Sequence, residues 1–287
     1  MAQIVYALLA GGAVWESFLA IWQFWRQLGI DTSGVAKVLM GGGRLMRAYG
    51  TFPHSNVLAA FLVIGLISLF YFYLKSHNKY LNFLIPTSIF FVVLGLLLTF
   101  SRAAWLASGL FFLYFSRRRP LLFIIPLVVL AFFYWLIIPR LQVSLNEPAL
   151  ALRRVYNQIG WEIIKTHPLT GVGFGKQAEY AIQNHLYQKY GLIQEWQWQP
   201  THNLYLLMAA DTGFIGLGLF LFFVIFLFIK GQRSMVNGPE TAMLLSLLFL
   251  GLFDHFLWTL PSGRMMLILV LGLNLLSLAS RPRSSTG

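Results

Sequence analysis

The sequence contains no cysteine, so neither a disulfide nor a thiolate metal site can form. Acidic residues are scarce: there are nine Asp and Glu in 287 residues, and no two of them lie within three positions of each other. The paired-carboxylate patterns that commonly hold Mg²⁺ or Mn²⁺ on a nucleotide sugar are therefore missing. A glycine-rich phosphate cradle with its lysine is missing too, which argues against nucleotide use. Charged residues of both signs make up only 10% of the chain. Soluble domains carry about a quarter, so this charge is too sparse to cover a water-exposed surface. Cytosolic enzymes, disulfide scaffolds and disordered tails are excluded.

What the chain has is apolar residues, at 58%, with 26 Phe, 12 Tyr and 9 Trp. Eight apolar runs recur along it: Ile4–Trp25, Val57–Leu74, Leu81–Thr99, Ala103–Phe115, Leu121–Ile138, Leu204–Ile229, Thr241–Leu260 and Met265–Ala279. About 20 residues cross a hydrocarbon core, so these read as spans, with Ala103–Phe115 short enough to be tilted or re-entrant. The expected fold class is an all-α polytopic transmembrane protein. Spans 1–5 fall in residues 1–138 with an outer loop at 26–53, a long outer loop occupies 139–202, and spans 6–8 fall in 203–287.

The net charge of +12 would suggest nucleic acid in a soluble protein. In a membrane protein it has a different first explanation, because Lys and Arg collect in short cytoplasmic loops. Placing both termini in the cytoplasm puts Lys75, Lys79, Arg117–Arg119, Lys230, Arg233, Arg281 and Arg283 inside. Trp22, Trp25, Tyr71, Tyr73, Tyr134, Trp135 and Trp258 then sit near interfaces. The bilayer is the expected partner and nucleic acid is not.

Within the long outer loop, projection at about 100° per residue gathers Leu152, Val155, Tyr156, Ile159 and Ile163 on one stripe. Arg153, Arg154, Asn157, Trp161 and Lys165 fall on the other face, the pattern of a helix on the bilayer surface or packed over the spans. His167-Pro168 ends it, Gly171, Gly173 and Gly175 predict a flexible turn, and Lys176–Tyr190 a second helix.

Several side chains are candidates for chemistry. Arg102, in TFSRAAW between two apolar runs, is costly at membrane depth, which makes it a functional candidate; the alternative is a snorkelling cap at the headgroups. Arg153 and Arg154 present planar cationic forks suited to pyrophosphate, or to lipid headgroups. His202, just before a span, suits a base acting on an acceptor hydroxyl, or a structural role at the interface. His54 in GTFPHSN and His255 beside Asp254 are further candidates near the outer face. Asp211, inside a span and followed by Thr212-Gly213, is placed to hold an arginine. No metal set and no cofactor are implied.

The blocks GTFPHSNVLAAFL, LLLTFSRAAWLA, Arg153 through HPLTGVGFG, and THNLYLLMAADTGFIGLGLF occur in this order. Together they resemble the O-antigen ligase and polymerase superfamily of bacterial membrane glycosyltransferases. The resemblance implies a GT-C-like helical fold in the bacterial inner membrane, with a site facing the periplasm. It implies transfer of a glycan from undecaprenyl pyrophosphate to a lipid A core, glycan or protein acceptor. In that reading Arg102 and Arg153 bind the pyrophosphate, His202 acts on the acceptor hydroxyl, and Arg154, Asp211, His54, Asp254 and His255 contribute to substrate binding. Relatives of this kind have more spans before the first block, so the chain is expected to be a version lacking an amino-terminal portion. An organic-anion transporter or channel using the same arginines is the alternative, although the paired, broken spans of many transporters are not visible.

Overall fold

The computed structural model describes residues 1–27, 37–40, 43–116, 124–134, 148–231 and 239–279. Arg117–Arg119, Trp135, Arg233, Arg281 and Arg283 lie outside the described residues. The chain divides into two units. One comprises Met1–Gln142, Ser234–Leu247 and Val270–Gly287; the other comprises Val143–Arg233 and Leu248–Leu269.

The protein is an all-α polytopic membrane protein. Among the described residues five helices are long and apolar enough to cross a bilayer, against eight runs in the sequence. These are α1 (Ala2–Arg26), α2 (Ser55–Lys75), α3 (Lys79–Leu98), α9 (Leu204–Gly231) and α12 (Pro261–Ala279). The fourth run forms the shorter α4 (Arg102–Ser116), and the fifth is described as α5 (Ile124–Phe132). The seventh is not one span. It forms α10 (Glu240–Gly251), turns at residues 252–255, and resumes as the short α11 (Phe256–Thr259).

In the first unit α2 is enclosed, with Val57 through Ile64 almost wholly buried except Phe61. Lipid tails are as apolar as leucine, so helices in a membrane associate through close packing of small residues rather than by escape from water. Here Gly65 of α2 meets Ala13 and the Leu9 carbonyl of α1, where any Cβ would collide, and Gly95 of α3 meets Ser17. The buried polar residues of α1 hold the chain that follows. Glu16 accepts from the Thr51 amide at 3.0 Å and from its hydroxyl at 2.6 Å, and Gln23 bonds Gly50 in both directions at 2.8 Å. At the other end of α1, Tyr6 donates to buried Glu240 at 2.8 Å, and Asn274 donates to the Glu240 carbonyl at 3.0 Å.

The outer loop expected at 26–53 contains a hairpin that hydropathy did not predict: β1 (Lys37–Met40) pairs antiparallel with β2 (Gly43–Met46). The available signal was Gly41-Gly42 between two short β-compatible runs.

In the second unit the amphipathic stripe behaves as expected. α6 (Pro148–Thr166) buries Tyr156, Ile159 and Ile163 against α9 and the following loop, with Leu152 and Val155 partly covered. The predicted second helix is two: α7 (Gln177–Gln183) and α8 (Leu186–Lys189), separated by His185 at φ 54°.

α9 is broken where the sequence suggested continuity. Gly213 adopts φ 68°, ψ −177°, and a Cβ there would collide with the Leu169 carbonyl. A broken helix at membrane depth must satisfy its released backbone groups within the protein. The segment after His167-Pro168 does so. Val172 and Gly173 amides donate to the carbonyls of Ala210 and Asp211 at 3.0 and 2.8 Å, while Phe214 and Ile215 amides donate to Pro168 and Leu169 at 2.8 and 3.3 Å. The glycines expected to make a flexible turn thus form a pinned one, at positive φ in all three cases.

Candidate functional site

The second unit builds its site on Tyr156. Its hydroxyl donates to the Gln197 carbonyl at 2.7 Å, and its own carbonyl accepts from the Thr201 hydroxyl at 2.9 Å. Gly160, one turn along α6, is what admits Thr201, since a Cβ would meet the Thr201 side chain. The Thr201 amide donates to Gln177 at 3.2 Å, and Tyr187 donates to Gln199 at 2.8 Å. The segment leading to His202 is strapped down before the histidine is reached.

His202 stacks on the Tyr156 ring at 4.9 Å and 17°, and meets His255 edge-on at 4.6 Å and 79°. Its Nδ1 lies 2.9 Å from the Pro200 carbonyl. A carbonyl only accepts, so Nδ1 carries the proton and Nε2 holds the lone pair. Burial lowers the pKa of His202 to about 4, with the nearby His255 and the Arg153 guanidinium acting in the same direction and Asp254 opposing. The ring is neutral at pH 7, with an acceptor nitrogen fixed in orientation. Arg153 is partly buried and Arg154 exposed, so the two arginines of α6 differ in environment.

Asp254 and His255 occupy the turn between α10 and α11 rather than the end of an uninterrupted span. The Asp254 carboxylate accepts from the His255 amide at 2.7 Å, and His255 Nδ1 lies 2.6 Å from the Thr259 hydroxyl. Asp211 also differs from expectation. Its partners are amides and an indole where the sequence suggested an arginine: Oδ2 accepts from Gly175 at 2.9 Å and from Trp258 Nε1 at 2.7 Å, and Oδ1 accepts from Gln177 at 2.9 Å. One carboxylate thereby holds the glycine turn, the start of α7 and α11. Phe174, between the two glycines, stays exposed and packs on Trp258 at 4.7 Å.

The first unit holds His54 and Arg102. His54 is the N-cap of α2: its Nδ1 accepts from the Asn56 amide at 3.1 Å. Arg102 opens α4, just after a tight turn in which Phe100 takes φ 52°. The Thr99 hydroxyl donates to Leu96 at 2.6 Å and accepts from the Ser101 amide at 3.3 Å, and Trp105 Nε1 donates to Leu96 at 3.1 Å. Arg47, which sequence reasoning did not single out, joins the two motifs. Its Nε donates to the Thr99 carbonyl at 2.8 Å and its Nη2 to Asn56 Oδ1 at 2.6 Å. Its only sequence signal was a basic residue seven positions before His54.

Among the described residues no three His, Asp or Glu side chains converge as a metal-binding set. Compared with known families, residues 87–221 match the O-antigen ligase family. This segment, a little under half of the chain, is therefore similar to the O-antigen ligase and polymerase superfamily. The O-antigen ligase segment contains Arg102, Arg153, Arg154, His202 and Asp211, while His54, Asp254 and His255 lie outside it. No curated protein sequence matches the chain significantly.

Proposed function

We propose that this protein is a metal-independent, inverting glycosyltransferase acting on the periplasmic side of the bacterial inner membrane. It moves a glycan from undecaprenyl pyrophosphate to an acceptor hydroxyl on lipid A core, another glycan or a protein. The acceptor oxygen attacks the anomeric carbon, the bond to the pyrophosphate oxygen breaks with its electron pair, and the acceptor proton passes to His202 Nε2. Arg153 offsets the charge that develops on the departing pyrophosphate, and Arg154 attracts the anionic donor. Arg102 is assigned to the pyrophosphate on the family pattern. His255 and Asp254, beside His202, contact the acceptor, and His54 and Asp211 hold the segments that carry the binding groups.

The observation that carries this reading is the neutral His202, its Nδ1–H committed to Pro200 and its Nε2 left as an acceptor, on the same platform as Arg153. An imidazole that is already deprotonated at neutral pH is ready to take a proton as the acceptor hydroxyl becomes acidic in the transition state. A preorganised cation aimed at a developing oxyanion contributes about 3 kcal/mol by analogy with oxyanion sites.

The test is a complementation assay in a strain lacking its own ligase or polymerase. Arg153→Ala and His202→Ala should each insert normally and fail to attach or extend glycan; wild-type product from both would remove the assignment. With purified protein and lipid-linked sugar, turnover should persist in chelator. Flux of an organic anion with no new glycosidic bond would instead favour a transporter.

A further inference from the structure

In the first unit, α1, α2 and α3 border a groove of about 400 Å³. Its walls are Ala7 and Ala10 of α1, Leu69 and Phe72 of α2, and Leu81 and Ile85 of α3. The two alanines leave the space that a larger residue on α1 would fill. The polar end is Lys75 and Ser76.

Lys75 is exposed, but its ammonium is anchored at that end. Its Nζ donates to the Tyr71 hydroxyl at 2.9 Å and lies 4.6 Å above the Tyr71 ring, which is itself set edge-on against Tyr6 at 5.1 Å. Lys79 follows after a three-residue turn and is exposed. Among the described residues no acidic side chain pairs with either lysine. Beyond them, the first two turns of α3 expose Tyr80, Leu81, Phe83 and Leu84, as a helix facing lipid would.

An apolar trough with Lys75 at its polar end and Lys79 four residues further along, neither paired with an acidic side chain among the described residues, has the complementarity of a lipid with a negative headgroup. A zwitterionic headgroup brings its own cation and gains less from the lysines. We propose that the groove binds one anionic phospholipid, with an acyl chain along the Ala7–Ile85 walls and its phosphate at Lys75 and Lys79. This site is independent of the glycosyl-transfer reading.

The experiment is native mass spectrometry of the full chain released from nanodiscs, comparing phosphatidylglycerol with phosphatidylcholine of identical acyl chains. The wild type should retain one phosphatidylglycerol in preference to phosphatidylcholine. Lys75→Gln with Lys79→Gln should weaken that retention roughly fivefold for each lysine, on the order of 25-fold together, with phosphatidylcholine unchanged. Ala10→Leu, which fills the groove, should lower retention of both lipids. Leu81→Trp at an exposed position of the wall gives a second blocking variant should Ala10→Leu fail to fold. Equal retention of the two lipids by the wild type overturns the proposal. So does a preference for phosphatidylglycerol that survives the double lysine variant, or retention unchanged by groove filling.

Discussion

The imidazole of His202 lies flat against the phenol of Tyr156, 4.9 Å away and 17° from parallel, with His255 edge-on at 4.6 Å. Tyr156 is on α6, three residues after Arg153, so one ring sets the position of the histidine relative to the arginine's helix. Tyr156→Leu should raise the pKa of His202 by opening the ring to water, since burial is the largest cause of its depression. Tyr156→Phe keeps the stack and should leave that pKa low, while costing about 1 kcal/mol through loss of the bond to Gln197. NMR titration of labelled histidine distinguishes the two variants, and a low pKa retained in Tyr156→Leu would refute the role given to the ring.

The pH profile follows from the same ring. With a pKa near 4, His202 is neutral above about pH 5, so the acidic limb of kcat/KM should lie near pH 4 rather than near the usual histidine value of 6.5. Removing His255, which disfavours a second cation, should move that limb upward; His255→Asn tests the sign. Folding is linked in the same direction. Between pH 6.5 and 4 the unfolded chain binds a proton at this position and the folded chain does not, so stability falls as pH is lowered through that window. Melting in detergent at pH 4.5 and pH 7, compared with His202→Asn, isolates this contribution.

Asp211 predicts a structural phenotype. Asp211→Asn replaces one acceptor oxygen by a donor that faces the amides and indole now bonded to the carboxylate. The cost should be about 1–3 kcal/mol, the penalty of leaving buried donors unsatisfied. Gly213→Ala should be worse, because the positive φ and the Leu169 carbonyl both oppose a Cβ. Tryptophan-fluorescence melting reads both, and an Asp211→Asn protein as stable as wild type would contradict the hydrogen bonding described.

Arg47 should resist conservative replacement. Its fork reaches Thr99 and Asn56 at once, which a lysine's single ammonium cannot reproduce. Arg47→Lys should therefore lose most of what Arg47→Ala loses, in melting temperature and in glycan product. Full rescue by lysine would show that charge alone matters there.

The membrane class, the apolar runs and the amphipathic face of α6 were legible in the sequence because each is a local pattern. Hydropathy over 20 residues identifies a span, and a period of 3.6 identifies a half-buried helix, with no knowledge of distant neighbours. The motif blocks were legible for the same reason, being contiguous strings. Hydropathy was less informative where an apolar run is interrupted, as at residues 252–255, since four apolar or polar residues in a turn barely change a window average.

What required the fold is everything that depends on a second segment arriving from elsewhere. Asp211 carries nothing in its own stretch to say that it bonds Gly175, Gln177 and Trp258, and Gly213 can break α9 because Pro168 and Leu169 come to accept the released amides. His202 likewise is a histidine of ordinary basicity until Tyr156, His255 and Arg153 surround it. The sequence by itself determined the membrane class and where the long apolar helices fall, because partition into hydrocarbon is a property of the segment. The tertiary structure decided protonation, backbone breaks and hydrogen-bond partners, because desolvation and directed bonds are set by the atoms that come to lie within a few ångströms.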